Sequence, residues 1–294
     1  MVPASAAGAP AMTMPRRMLR RSGYGGGLRV CMIRIVTLAL AILLLAPGGS
    51  GVRAEKAAAA SCRMSFRPII DVGHTPESPG AISARGVTEF DFNLRLAKRI
   101  EAALKEKGFA RTVLLVTRGQ TRPGLVERVT RANAMRADLF LSIHHDSVPN
   151  FLIEKWEFLG AEGRYSDRFK GHSIFVSGEH PQYARSLAFA GSLGRALKAQ
   201  GLLYTPHYTE TLMAGRRRAL VDKEAGVYRF DRLAVLIGTA MPAVLLEAGS
   251  IINRDEELLM ESPERQAQIA AAVTQAVDQF CAARRMRSPK RAAK

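Results

Sequence analysis

The chain has 294 residues, 47% of them apolar, and a formal net charge of +17. This apolar fraction is sufficient for a packed core and excludes a largely disordered chain. The positive charge lies mostly at the two ends: residues 1–54 contain seven arginines, residues 284–294 contain six lysines and arginines, and neither segment contains an acid. The intervening residues 55–283 carry a net charge of +4, so the sequence predicts no dedicated nucleic-acid-binding groove.

An apolar run of twelve residues, Ile35–Ala46, directly follows Arg34. It is shorter than the roughly 20 residues that cross a bilayer, but it fits the apolar core of a signal peptide. We predict a signal peptide over residues 1–54, cleaved after Ala54, and therefore no stable membrane span in the mature form. The alternative is an uncleaved anchor. A start at Met32 would give a signal of ordinary length, so residues 1–31 are interpreted as an over-extended start.

Cys62 and Cys281 remain after such processing, one just before the first predicted strand and one at the end of the last predicted helix. Export to an oxidising compartment would permit a disulfide between them. Two free thiols are the alternative, and a Cα separation above about 7 Å would exclude the bond.

Residues 55–62 are predicted to be a linker. Apolar strands then alternate with helices, in the order Pro68–Val72, a helix that Thr88 caps and Gly108 ends, Thr112–Thr117, Leu125–Met135 and Asp138–His144. Strands that are apolar throughout and separated by helices are typical of a parallel sheet with helices packed on it.

The second half of the chain is less regular. Residues 147–171, which include Trp156, show no clear period, and residues 201–221 are predicted to be a long loop. The remaining predicted elements are the strands Ser173–Ser177, Ala234–Ile237 and Ala243–Leu246 and the helices Tyr183–Ala199 and Glu264–Cys281. The sequence thus predicts one three-layer α/β domain, residues 63–283, with a mostly parallel twisted sheet of about six strands and helices on both faces. A basic tail, 284–294, follows it.

Polar side chains follow two of these strands. His74 comes after the first strand, His144 and His145 end the third, and Glu89 lies in the first turn of the helix between them. Because ligands of open parallel sheets bind outside the carboxyl ends of the strands, we expect these side chains to lie on one edge. Two histidines and a glutamate fit a catalytic zinc site, which uses three protein ligands. Each residue alone has a simpler explanation, such as a loop hydrogen bond or an acid near a helix dipole; their joint placement favours the metal.

A carboxylate also ends a predicted strand further along the chain. Glu247 follows the apolar run Ala243–Leu246, and burying a carboxylate there is costly unless the group is paired or used. We predict that it acts as a general base on the same edge. Asn253 and Arg254 follow closely and are predicted to bind substrate at the mouth of the site.

Taken in order, several motifs resemble one enzyme family. They are DVGHTPES, GVTEFDFNLRLA, VTRG, ERVTRAN, LFLSIHHDS and PAVLLEAGSIIN, and they resemble the zinc-dependent N-acetylmuramoyl-L-alanine amidases of bacterial cell walls. The resemblance extends from about Ile69 to Phe280. It implies hydrolysis of the amide that joins the lactyl group of N-acetylmuramic acid to the L-alanine of the stem peptide in peptidoglycan.

The resemblance also implies roles for single residues. The family pattern places the catalytic acid/base at Glu247 and the ligands of Zn²⁺ at His74, Glu89 and His144. It selects His144 over His145 because the family's ligand directly follows the Ser-Ile pair. The implied partner is peptidoglycan, and the implied location is outside the cytoplasm, with the periplasm favoured and an extracellular cell wall as the alternative.

Two positions depart from the family pattern. Ser250 stands where many members have an aromatic residue, which changes one wall of the substrate groove. Residues 147–171 are longer than the shortest family loop. In some members an inserted helix near this point covers the zinc until an activator protein moves it, and this segment is a candidate for the same role. Two other functions stay open: a zinc peptidase acting on stem peptides, and a non-catalytic wall-binding protein on an amidase scaffold.

Overall fold

The computed structural model describes residues 49–287. The predicted signal segment up to residue 48 and the predicted basic tail from residue 288 onward lie outside the described residues. Within the described range, no helix is both long enough and apolar enough to cross a bilayer.

Nine strands and seven α-helices are found among residues 49–287. The strands are β1 (Pro68–Val72), β2 (Val113–Leu115), β3 (Leu139–Asp146), β4 (Glu154–Phe158), β5 (Ala161–Tyr165), β6 (Ser173–Val176), β7 (Ala219–Asp222), β8 (Val227–Arg229) and β9 (Ala243–Ser250). The helices are α1 (Gly49–Ser65), α2 (Glu89–Glu106), α3 (Thr121–Ala134), α4 (Tyr183–Ala199), α5 (Ala234–Gly238), α6 (Arg254–Glu261) and α7 (Pro263–Arg287).

Seven strands form one sheet in the order β2-β1-β3-β9-β6-β8-β7. Neighbours from β2 to β9 are parallel, β6 runs antiparallel to β9, and β7 runs antiparallel to β8. The prediction of an α/β fold with a mostly parallel sheet is confirmed, with seven strands in place of about six. Since β1, β3 and β9 are parallel neighbours, their carboxyl ends share one edge.

Successive side chains of a strand point to opposite faces of the sheet. In the central strands, the side chains on both faces are buried. In β1, Ile70 and Val72 belong to the larger apolar cluster, which includes residues of α2, α4 and α7, whereas Ile69 belongs to a second cluster with residues of α3 and α5. The sheet therefore lies between two helical layers, as the sequence predicts.

Three predicted elements differ in the structure. The apolar run at 234–237, predicted to be a strand, forms α5, whose Val235 and Leu236 are buried in the second cluster. A short apolar run fits either element, and periodicity alone does not separate them. Residues 201–221, predicted to be a loop, contain two 3-10 helices, His207–Thr209 and Thr211–Arg216, and the start of β7. Residues 55–62, predicted to be a linker, lie within α1.

A disulfide joins Cys62 of α1 to Cys281 of α7, with the two Cα atoms 6.1 Å apart. The bond closes a loop of 219 residues between the two ends of the domain. Beside it, Phe66 is buried and packs edge-on against Phe109 and Phe280. The disulfide therefore links α1 and α7 beside the larger apolar cluster.

We expect the Cys62→Ala/Cys281→Ala variant to lose about 2–4 kcal/mol of unfolding free energy, because the unfolded chain gains the freedom that the closed loop removes. Urea unfolding under oxidising conditions measures this loss. Reduction should bring the wild type close to the variant and leave the variant unchanged. Equal stability of the oxidised wild type and the variant would contradict the prediction.

Candidate metal centre

His74 is positioned by the end of β1 and by a buried arginine. The amide of Gly73 donates to Ile143 O at 2.9 Å and continues the β1–β3 ladder to the strand end. His74 itself has a left-handed backbone with φ of 65°, a conformation that costs of order 1 kcal/mol outside glycine. The Arg128 Nη2 donates to His74 O at 2.6 Å. This contact from α3 fixes the peptide that carries the imidazole.

Glu89 is positioned by the start of α2. The side chain of Thr88 accepts a hydrogen bond from the Asp91 amide at 3.2 Å, which confirms the predicted N-cap and places Glu89 in the first turn. Glu89 is buried, with 5% of its surface exposed. Its Oε2 accepts a hydrogen bond from the Ala81 amide at 3.1 Å, so the carboxylate is directed toward the sheet edge.

The structure brings the three predicted ligands together. The Glu89 Oε1 lies 2.9 Å from His144 Nδ1, and its Oε2 lies 3.0 Å from His74 Nε2. One ligand atom from each residue lies within 4.8 Å of the other two. Two imidazole nitrogens and one carboxylate oxygen are a donor set that suits zinc. The three side chains are therefore arranged as a group that can hold a metal ion.

The electrostatics of the group suit a cation. Burial acts to raise the pKa of Glu89, but the hydrogen bonds and charges of His144 and His74 outweigh it, and the pKa falls well below its usual range. Burial lowers the pKa of His144, and Glu89 only partly opposes this shift. An ionised carboxylate and a neutral imidazole are the forms that coordinate metals.

Two glycines allow the ligands to approach the backbone. A Cβ at Gly73 would lie 2.5 Å from the His144 ring. At Gly80, where φ is +82°, a Cβ would lie 2.5 Å from Glu89 Oε2. Any side chain at these positions would displace a ligand. Glycine at both positions leaves the space that His144 and Glu89 occupy.

His145 faces away from the group, because successive residues of a strand point to opposite sides. Its Nδ1 lies 2.8 Å from Asn93 Oδ1. The Asn93 Nδ2 donates to Gly73 O at 3.2 Å and to Glu89 Oε1 at 3.4 Å. His145 thus helps to hold a residue behind the ligands, and His144 is the one of the pair that joins them.

Glu247 lies on β9 directly opposite His144 of β3 in the strand register. Both residues line one cavity of about 910 Å³, together with His74 and Glu89. The Glu247 Oε2 is buried without a hydrogen-bond partner. Burial, followed by the charges of Asp146 and Glu89, raises the pKa of Glu247 well above its usual range. The cavity therefore contains a buried carboxyl group whose affinity for a proton is increased.

Asp146 and Tyr208 are among the polar residues that line this cavity and were not predicted. The Tyr208 hydroxyl lies 2.8 Å from both carboxylate oxygens of Asp146 and donates to this group. Burial raises the pKa of Asp146 to about 7, although Tyr208 and the Ser147 amide act in the opposite direction. The position of Asp146, directly after two histidines at a strand end, was a signal in the sequence. Tyr208 lies in residues 201–221, which show no hydrophobic periodicity, so the sequence did not indicate its position at the cavity.

The prediction that Asn253 and Arg254 bind substrate is not supported by their positions. Neither residue lines the cavity. The Asn253 Oδ1 accepts from the Asp255 and Glu256 amides and caps α6, a helix that was not predicted. The Arg254 guanidinium pairs with Asp167. Both side chains are used in holding the fold together.

The segment predicted as a candidate inhibitory insertion contains no α-helix. It forms a 3-10 turn, Asn150–Leu152, and the β4–β5 hairpin, a separate two-stranded sheet. The Trp156 Nε1 donates to Ala84 O at 3.0 Å and attaches the hairpin to the loop that precedes α2. Phe158 and Gly163 line the cavity. The hairpin is one wall of a cavity that also contains the metal-ligand group.

Comparison with known proteins shows the family of the chain. The family model described as N-acetylmuramoyl-L-alanine amidase matches residues 69–279. N-acetylmuramoyl-L-alanine amidase AmiC of Escherichia coli O6:H1 is 23% identical over 244 residues, which are 74% of this chain and 54% of that protein. The chain thus spans about half the length of this curated relative.

Solved structures share the fold. The N-acetylmuramyl-L-alanine amidase Ami1 of Mycobacterium smegmatis gives a TM-score of 0.57 at 22% identity, over 74% of this chain and 98% of that one. The CwlD amidase of Clostridioides difficile, solved in complex with the GerS lipoprotein, gives 0.51 at 20% identity, over 73% and 98%. The seven-stranded sheet with flanking helices is therefore an architecture found in amidase structures.

Proposed function

Since the chain belongs to the N-acetylmuramoyl-L-alanine amidase family, we propose that it hydrolyses the amide between N-acetylmuramic acid and L-alanine in peptidoglycan. One observation carries the proposal: the group His74, Glu89 and His144 lines the same cavity as the partnerless carboxyl of Glu247. A metal-ligand group beside a protonatable carboxyl is the combination that metal-assisted amide hydrolysis requires.

His74, Glu89 and His144 would hold Zn²⁺, each through one side-chain atom. When bound, zinc is a Lewis acid toward a carbonyl oxygen and lowers the pKa of water to about 7. Asn93 and Arg128 support the ligands from behind, through Glu89 Oε1 and His74 O respectively. Such supporting hydrogen bonds fix ligand orientation in metal sites.

Glu247 moves the proton. It accepts a proton from the water that attacks the scissile carbonyl carbon, holds it, and donates it to the amide nitrogen as the carbon–nitrogen bond breaks. The products are the lactyl carboxylate and a stem peptide with a free L-alanine amine. The raised pKa of Glu247 suits the intermediate step, in which the carboxyl must keep the proton before it is transferred.

We also propose that the protein acts outside the cytoplasm on the cell wall, with the periplasm favoured over an extracellular wall. The predicted signal peptide supports this location. An activator protein is a proposed partner, since the CwlD amidase is found in complex with a lipoprotein. Because the β4–β5 hairpin is a wall of the cavity, it is the segment through which such a partner could act.

The proposed function predicts zinc-dependent release of intact stem peptides from purified peptidoglycan. Chelation should abolish release, and added zinc should restore it. Mass analysis should find peptides that begin with a free L-alanine amine. His74→Ala should lose stoichiometric zinc, because two ligands do not complete the site. His172→Gln, a matched change of a buried histidine away from the cavity, should keep it.

Each contrary result selects another function. Cleavage within stem peptides would identify a peptidase. Zinc retention and pelleting with inactivated wall material, without any cleavage, would identify a wall-binding protein. Stoichiometric zinc in His74→Ala would show that the metal lies elsewhere.

A further inference from the structure

Two arginines line the cavity in addition to the residues assigned above. Arg216 ends the second 3-10 helix, and Arg218 precedes β7; both are among the lining residues. Their guanidinium groups donate to backbone carbonyls: Arg216 to Ser147 O at 3.1 Å, and Arg218 to the carbonyls of Gly215 and Arg217 at 3.1 and 2.7 Å. In the described part of the chain, neither has a carboxylate at ion-pair distance.

Arg218 is held in place and partly removed from water. Its guanidinium carbon lies 3.6 Å from the centroid of the Phe230 ring, which also lines the cavity. Its Nε is buried and has no hydrogen-bond partner. Burial lowers the pKa of Arg218; the charge of Tyr208 opposes this shift, and the charges of Arg216 and Arg232 add to it. The fold thus brings cations toward one another, an arrangement that an anionic ligand would relieve.

The other two arginines that line the cavity, Arg85 and Arg164, each contact a side chain of another residue. The Arg85 Nη1 pairs with Glu257 Oε2 at 2.7 Å. The Arg164 Nη2, on the hairpin, donates to Asn150 Oδ1 at 3.4 Å. Of the four cavity arginines, only Arg85 has a carboxylate at ion-pair distance within the described residues. Arg216 and Arg218 lie two residues apart on one segment, whereas Arg164 lies on the hairpin.

We propose that Arg216 and Arg218 form a subsite for a carboxylate of the stem peptide. This inference rests on the proposed function and names the part of the substrate that the cavity recognises. A peptide can carry such a carboxylate on an acidic side chain, and conversion to a carboxamide removes its charge. A guanidinium group donates two parallel hydrogen bonds to a carboxylate, whereas a carboxamide offers one acceptor and no charge.

Two substrates test the subsite directly. They are N-acetylmuramoyl peptides that differ only in a free carboxylate or a carboxamide on the second residue. We expect the wild type to hydrolyse the free acid with a kcat/KM about 10–100-fold higher, since the carboxamide would leave the partly buried guanidinium of Arg218 without a charged partner. Arg216→Gln and Arg218→Gln should reduce this ratio to about threefold or less, because each removes part of the charge.

Arg217→Gln is the matched control. Arg217 lies between the two arginines, is exposed and does not line the cavity, so its variant should keep the wild-type ratio. Arg218→Gln could unfold the protein, because it removes the contact with Phe230. In that case Arg216→Gln tests the subsite, since Arg216 is exposed and its replacement should leave the fold intact. Equal rates of the wild type on both substrates, or an unchanged ratio in the variants, would overturn the proposal.

A binding measurement separates this proposal from the proposed function. Calorimetric titration of the protein with the free stem peptide, in its acid and amidated forms, needs no hydrolysis. Tighter binding of the acid form, lost in Arg216→Gln and kept in Arg217→Gln, supports the subsite even if neither substrate is cleaved. Equal binding of the two forms contradicts the subsite whatever the hydrolytic activity.

Discussion

Glu247→Gln is expected to release stem peptides about 10²–10⁴-fold more slowly than the wild type, while it still folds and still binds zinc. Glutamine has nearly the same shape as glutamate but cannot accept the proton of the attacking water, and positioned proton transfer contributes this magnitude. Glu247 is not one of the three ligands, so the metal should stay bound. Initial rates on peptidoglycan and the zinc content of the purified variant measure both parts.

The control for this prediction is Glu224→Gln, which changes an exposed glutamate that does not line the cavity and should retain full activity. A rate for Glu247→Gln within twofold of the wild type would show that another group moves the proton. Asp146 would then be the first residue to test, because it lines the same cavity and burial raises its pKa to about 7.

The ligand group could be predicted from the sequence because its elements are defined locally. β1 and β3 are mostly apolar runs, with His74 two residues after β1 and His144 near the end of β3. Buried parallel strands show such apolar runs without help from the rest of the chain. The start of α2 is marked by Thr88, which caps the helix. Since parallel neighbours end on one edge, His74, Glu89 and the pair His144–His145 could be placed together before any distance was known. The family resemblance then selected His144.

The rest of the cavity depends on tertiary contacts that the sequence does not mark. Residues 201–221 have no period, yet Tyr208 and Met213 are buried there in the second apolar cluster, and this burial places Arg216 and Arg218 at the cavity. The position of Asn253 has a related explanation. It is close to Glu247 in sequence, but its side chain caps α6, a helix that was not predicted, and does not line the cavity.

A second large effect is expected at Arg128, which forms a buried ion pair behind His74. Arg128 is 3% exposed and Asp71 is fully buried. The Arg128 Nε lies 3.0 Å from Asp71 Oδ1, and Ser142 donates to Asp71 Oδ2 at 2.7 Å. Arg128→Met should reduce the unfolding free energy by about 3–5 kcal/mol, because it leaves a buried carboxylate without its cation.

The loss at Arg128 should depend on pH in a defined direction. Burial raises the pKa of Asp71 to about 7, and Arg128 acts to lower it. Removing Arg128 raises this pKa further above the unfolded value of about 4. A carboxyl with a raised folded pKa destabilises the fold progressively as pH rises above the unfolded pKa. The stability difference between wild type and Arg128→Met, measured by urea unfolding, should therefore be nearly constant from pH 5 to pH 6, where the folded carboxyl is protonated in both proteins. It should grow as the pH rises through about 7, where only the wild-type carboxyl ionises.

The double variant Asp71→Asn/Arg128→Met separates the two roles of Arg128. Without the carboxylate there is no buried charge, so most of the lost stability and its pH dependence should return. The hydrogen bond to His74 O does not return, because methionine has no donor for this carbonyl. Zinc affinity, measured by competition with a chelator, should therefore stay about 10–100-fold below that of the wild type, as expected when a supporting contact of a ligand is lost. Recovery of both stability and zinc affinity would show that Arg128 acts on the metal centre only by neutralising Asp71.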